Sequence, residues 1–271
     1  MTHFSVDSSG ATGFWSVHVS SGSPAFGEQL DINNFGMPLL QLDASYRNLI
    51  TTTAGANTIT TWKCKATGAE FTEAAAFPDL LDATVTGAGM LRPAAEFVAA
   101  SSEKMLCANT ALAAALGGVR PFTLFIAARR TAAAANHCLF SVATAGTDNG
   151  RWDVMFDAAD DFVVTRVQAG GSSATSVHAA TFAAGMYTVV ITFDGIIPRL
   201  WVNNTSRALT GLANGDGGTP TRLGLGCRVR NTSTQENFAA AEISEVVIFG
   251  EELPTAKLNN LLAYARRKYG V

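Results

Sequence analysis

The chain has 271 residues, with 19 Lys and Arg against 22 Asp and Glu, a formal net charge of −3 and only 15% charged residues. Globular chains average about 25% charge, so this low, balanced charge on a 48% apolar chain excludes a disordered solvating segment and a basic surface that grips phosphates. Alanine supplies 45 of the apolar residues, and the length suits one large all-β unit or two small domains.

Residues 1–37 are dense in Ser and Gly, and SSGSP at 20–24 reads as loop, so this stretch is expected to be an extension or arm. Its aromatics, Phe4, Phe14, Trp15 and Phe26 among them, exceed what a linker needs and are expected to anchor it on its own domain or on a neighbour. The N-terminus lacks the basic start and apolar block of a secretory signal, and no run approaches the ~20 residues of a membrane span. From 38 onward the pattern is short-run and period-two. Strands are predicted at 121–130, 137–144, 151–158, 161–168, 186–194 and 198–204, separated by turn clusters such as AGTDNG and DGIIP. That rhythm predicts antiparallel sheets in a sandwich or barrel rather than βαβ units. Residues 111–118 could form one or two helical turns capped by Asn109 or Thr110. Helix 254–269 follows from Leu258, Leu261, Leu262 and Ala265 on one stripe, from Arg266, Arg267 and Lys268 in the last turn, and from the stop at Gly270. Cys64, Cys107, Cys138 and Cys227 stand apart without a C-x-x-C pair and are expected to be buried thiols.

The closing stretch, 237–271, resembles the end of concanavalin A-like lectin/glucanase domains of the laminin-G type. Ile243, Glu245, Val246, Ile248 and Phe249 occupy that family's strand pattern, and Leu253, Tyr264, Lys268, Tyr269 and Gly270 its helix pattern. Upstream, LLQLDAS at 39–45, TWKCKATGAEFTEA at 61–74, Pro78, 94–107 and PRLWVNN at 198–204 match in the same order; Lys63 stands where the family usually has Asp. The resemblance covers about 38–271 and implies an all-β, two-sheet antiparallel jelly-roll sandwich with a C-terminal α-helix, preceded by the N-terminal extension. Relatives of this kind are common in bacteriophage virions and bacterial surface proteins. The implied location is therefore the virion, after synthesis in the host cytoplasm, with other virion proteins and self-association as partners, a host glycan as a further one, and neither nucleic acid nor membrane insertion.

Glycoside hydrolysis needs two carboxylates flanking the bond. The nearest pair is Glu242 and Glu245, and their separation of three predicts opposite strand faces. No zinc, nucleophile-elbow or phosphate-loop pattern is present, so the chain reads as having no catalytic residues, no metal ligands and no cofactor. Calcium at a loop rim is the one ion the resemblance suggests, with Asp148, Asn149 and Asp153, then Asp157, Asp160 and Asp161, then Asn214 and Asp216 as oxygen-bearing patches that turn chemistry alone would also explain. A sugar site would need an aromatic platform beside polar groups. Trp152 with Asp148, Asn149 and Arg151, and Asn203 near Trp201, are the candidates, although alternation favours a core position for Trp201. The reading ranked first is a non-enzymatic structural or interaction module of a virion surface, a decoration, fibre or tail component held through its arm. A carbohydrate-binding receptor-recognition protein is the alternative, and a glycan hydrolase ranks third.

Overall fold

The structure, a computed structural model, describes residues 32–73, 75–85, 91–144, 150–167, 173–209, 218–230 and 235–271. The compact unit begins at Ile32. Its first element is the short helix Ile32–Phe35, in which Ile32 and Phe35 are buried and the Phe35 ring meets Tyr264 edge-on. Two apolar side chains ahead of position 38 are thus part of the compact unit. Phe4, Phe14, Trp15 and Phe26 lie outside the described residues.

Two large antiparallel sheets carry the fold. The first runs, in spatial order, Thr205–Arg207, Pro198–Val202, Gly185–Phe193, Phe122–Arg130, Ala241–Phe249, Leu91–Phe97 and Asp79–Val85, with Leu40–Asp43 also pairing with Ala241–Phe249. The second runs Ser173–His178, Phe162–Val167, Trp152–Phe156, His137–Ala143, Arg222–Leu225, Met105–Cys107, Glu70–Thr72, Ile59–Lys63 and Ile50–Thr52. A small hairpin, Arg228–Val229 with Gln235–Glu236, pairs within itself and joins neither ladder. The six strands predicted from alternation recur within one or two residues of their expected bounds.

One apolar cluster fills the space between the sheets. Leu124, Ile126, Ile191 and Ile248 reach it from the first sheet, and Trp62, Phe71, Phe140 and Val154 from the second. Side chains alternate across a strand, so every second residue of these runs is committed to the core and its neighbours are left to the outer faces.

The outer face of the first sheet is covered by the C-terminal helix Thr255–Tyr269, through Tyr264 and Tyr269 packed on Phe125. Pro254 precedes the helix and gives no side-chain cap; Gly270, at φ 70°, ends it with its N–H on the Arg266 carbonyl. Helix Thr110–Ala114 is a single short turn capped by Asn109, whose Oδ1 accepts from the Leu112 N–H at 3.0 Å. All four cysteines are free and buried; burial pushes the Cys138 thiol up and the Cys227 thiol up to about 12, so both stay protonated at neutral pH. No helix among the described residues is long and apolar enough to cross a membrane.

Candidate functional site

The outer face of the second sheet is built from the residues that alternation turns away from the core. Strand register aligns them into rows. One row passes from Thr51 to Thr61, Thr72, Leu106 and Gly224, and on to Ser141. Beside it, Lys63 is paired with Glu70, and Arg222 with Ala143.

Part of this face is closed by the small hairpin. A Cβ on Gly224 would stand 2.5 Å from Val229 Cγ2, so the glycine is what lets the hairpin seat there. The Ser141 hydroxyl donates to the Cys227 carbonyl and accepts from the Val229 N–H, both at 2.8 Å. Beneath, the fully buried Asp153 carboxylate receives Arg151 at 2.8 Å and Arg228 at 3.1 Å, and Arg228 also reaches Glu236 at 3.1 Å. Two guanidiniums on one buried carboxylate, with a second acid outside, bind the hairpin to the sheet.

Where the hairpin stops, the face opens into a cleft of about 450 Å³ lined by Glu70, Thr72, Leu106, Ala108, Asn109 and Arg222. Its hydrogen-bonding groups are mostly donors. Glu70 is held by Lys63 at 2.9 Å, which offsets its charge. Asn109 has its carbonyl oxygen turned to the Leu112 N–H, which fixes the amide orientation and leaves the NH2 to donate. Arg222 adds a planar guanidinium and Thr72 a hydroxyl. Such a site suits a ligand rich in acceptors, above all one bearing a carboxylate.

The residues singled out from sequence fare differently. Trp152 and Arg151 are neighbours that point to opposite sides. Trp152 is 4% exposed and packs edge-on against Phe122 and Phe193, with centroids 5.2 and 5.0 Å away. It is a core residue and offers no face to a sugar. Arg151 belongs to the hairpin clamp on Asp153. Asn203 sits at a turn of the first sheet with φ 49°, its Oδ1 accepting from the Thr188 N–H at 2.9 Å, so it does not join Arg151. Trp201, expected in the core, lies half-buried on the outer side of the first sheet, between the buried Leu200 and Val202. Asp148 and Asn149 lie outside the described residues, as do Asn214 and Asp216.

Of the proposed oxygen patches, Asp157 accepts from the N–H groups of Ala159 and Asp161, Asp161 from Ala180, and Asp160 from Ala134 and the buried Arg130. Turn and strand-end bonding accounts for these contacts, and among the described residues no group of three or more His, Cys, Asp and Glu converges to hold a metal. Sequence reasoning missed Thr72 and Arg222. The signal available was the pairing of Thr-Trp-Lys at 61–63 with Glu-Phe-Thr at 70–72, each an inward aromatic flanked by two outward polar residues.

Glu242 and Glu245 also depart from expectation. A bulge between Ile243 and Glu245 adds one residue to the strand, so both carboxylates face the same, outer side of the first sheet. They are nevertheless engaged separately. Glu242 pairs with Arg129 at 2.8 Å. Glu245, with no exposed surface, accepts from Tyr264 and Tyr269 at 2.8 Å and from Lys268 at 3.0 Å, and Lys268 also reaches Asp43 at 2.7 Å. The helix residues that carry the family resemblance, Tyr264, Lys268 and Tyr269, are those that close this clasp.

No family model and no curated protein matches the sequence. Solved structures do share the fold. The chain is similar to Trypanosoma rangeli sialidase, at TM-score 0.55 and 12% identity over 84% of this chain and 32% of that one. It is similar also to a variant of the NanB sialidase from Streptococcus pneumoniae, at TM-score 0.50 and 13% identity over 60% of this chain and 26% of that one. A weaker likeness, at TM-score 0.46 and 16% identity, is to the CBM40 of Ruminococcus gnavus IT-sialidase bound to α2,3-sialyllactose, over 56% of this chain and 85% of that one. The chain thus spans about a third or less of the sialidases it matches. These likenesses correct two expectations. The sandwich recurs inside glycan-acting enzymes, so the virion surface module drawn from the sequence is set aside, and with it the exclusion of an enzyme. Virion proteins and self-association as partners fall with that reading.

Proposed function

We propose that this chain is a carbohydrate-binding domain of concanavalin A-like, jelly-roll type, and that its cleft takes a sugar bearing a carboxylate, of which sialic acid is the leading case. One observation carries the reading: the outer-face cleft gathers the Arg222 guanidinium, the Asn109 amide and the Thr72 hydroxyl beside a carboxylate already held by Lys63. A guanidinium fork matches a carboxylate bidentately, and the neighbouring donors fit ring and N-acyl oxygens. The order of motifs from 38 to 271 supports the jelly-roll assignment. The fold shared with sialidases supports glycan as the ligand class.

Titration calorimetry with α2,3-sialyllactose and with lactose tests it. The reading expects binding of the first at least about tenfold tighter than of the second, and loss of that difference in Arg222→Ala, with Arg222→Lys intermediate because an ammonium pairs with a carboxylate at one point only. Equal binding of both sugars, or none by the folded protein, would refute it. Chromatography of the same mixtures reports any cleavage.

A further inference from the structure

The cleft is not symmetric. On one side the face is closed at Gly224 and Ser141 by the hairpin, with Leu106 packed against the hairpin cluster of Ala143, Cys227 and Val229. On the other side nothing among the described residues covers it. The outer-face row continues from Thr72 to Thr61 and Thr51, one threonine per strand, and ends at Ile50–Thr52, the edge strand of the sheet. Thr51 and Thr72 are exposed and Thr61 is half-buried. Among the described residues, none hydrogen-bonds to these three side-chain hydroxyls; the neighbouring Thr60 turns its own to the Thr51 carbonyl.

Adjacent strands lie about 4.8 Å apart, so the row presents hydroxyls at that repeat along a line across the strands. Threonine is stiff at χ1, and each hydroxyl both donates and accepts. A line of fixed two-way hydrogen-bonding groups, walled at one end and running off a free edge at the other, fits a linear chain that itself carries hydroxyls at regular intervals.

Building on the carbohydrate reading above, we propose that the cleft is the closed end of a track. It seats the terminal residue of an oligosaccharide against the hairpin, with Thr72 at the mouth of the cleft, and the next two or three sugars lie across Thr61 and Thr51 toward the sheet edge. The ligand class is then an extended glycan read from its end, and the threonine row sets how many residues are read.

A length series tests this: the methyl glycoside of N-acetylneuraminic acid, the trisaccharide sialyllactose and the pentasaccharide sialyl-lacto-N-tetraose, titrated into the full chain. Affinity is expected to rise about fivefold for each hydrogen-bonded sugar added, and to level off by the pentasaccharide. The double variant Thr51→Val and Thr61→Val, which keeps β-branched side chains in both strands, should lose that gain while binding the methyl glycoside unchanged. Equal affinity across the series, or a gain that survives in the double variant, overturns the track and leaves the cleft as a glycan site. Failure of every member to bind the folded protein overturns the track together with the reading on which it rests.

Discussion

The hydroxyl of Tyr264 lies 2.8 and 2.9 Å from the two carboxylate oxygens of Glu245, in a place solvent does not reach. Burial, followed by the adjacent Glu245 charge, pushes that phenol well up, so it stays a donor at any working pH. Tyr269 and Lys268 complete the set. Burial raises the Glu245 carboxyl even though Lys268 pulls it down. For Lys268, burial alone would lower the ammonium, and the charges of Glu245 and Asp43 more than reverse it. Removing the Tyr264 hydroxyl in Tyr264→Phe should cost about 1–3 kcal/mol in urea unfolding, since two other donors remain on the carboxylate.

Lys268→Met should cost more, about 3–5 kcal/mol, because it leaves buried carboxylates without their cation. The deficit should depend on pH with a definite sign. Without Lys268 the Glu245 carboxyl is raised further above its unfolded value, so the folded state holds a proton that the unfolded state releases, and stability rises as pH falls toward the ordinary carboxylate range. Unfolding curves from about pH 8 down to about pH 5 should show the variant approaching the parent. A constant gap would mean that Glu245 is not the group left unpaired.

Trp152→Ala should behave as a core truncation. The indole stands between Phe122 and Phe193, so its loss is expected to cost about 3–5 kcal/mol. Sugar affinity per folded molecule should be unchanged, as Trp152 does not line the cleft. Calorimetry on the fraction shown folded by near-ultraviolet circular dichroism separates the two effects.

Held down where Glu245 is pushed up, the carboxylate of Asp194 organises the turn after Gly185–Phe193. Its Oδ1 accepts from the N–H groups of Ile197 and Ile196, both at 2.7 Å, and Arg199 stands 3.1 Å from Oδ2. These contacts, led by the Ile197 bond, hold its carboxyl below the usual range. The stabilisation it gives is present above the unfolded carboxylate pKa and is lost as pH falls through the lower folded value. Thermal melts between about pH 5 and about pH 2 should therefore slope less steeply in Asp194→Asn than in the parent.

The strands were readable because their inward residues are large and apolar at every second position, as in Phe140 and Val142 or Trp152, Val154 and Phe156. The helix was readable from its stripe and its final glycine. What alternation could not assign was the side on which a given set falls. Trp152 and Trp201 are each flanked by residues of the opposite facing, and Trp152 proved inward and Trp201 outward once pairing fixed the register. The cleft was hidden for another reason. Glu70, Asn109 and Arg222 lie far apart in the chain and meet only because their strands and a helix cap are neighbours in space. No local pattern encodes that.

The irregularity beside Ser244 bears on how this domain can change in length. Ile243 and Val246 both face the core although three positions separate them, and Glu242 and Glu245 both face away. A chain shortened by Ser244 alone would restore plain alternation and leave every one of these side chains on its own side. A chain lengthened by one residue at the same place, with the strand drawn straight, would also keep Glu245 outward and Val246 inward, but it would press the added side chain into the apolar layer and slide Glu245 from opposite Ala127 to opposite Phe125. The closing strand therefore holds one residue of slack, and it can give that slack up far more readily than it can take on more.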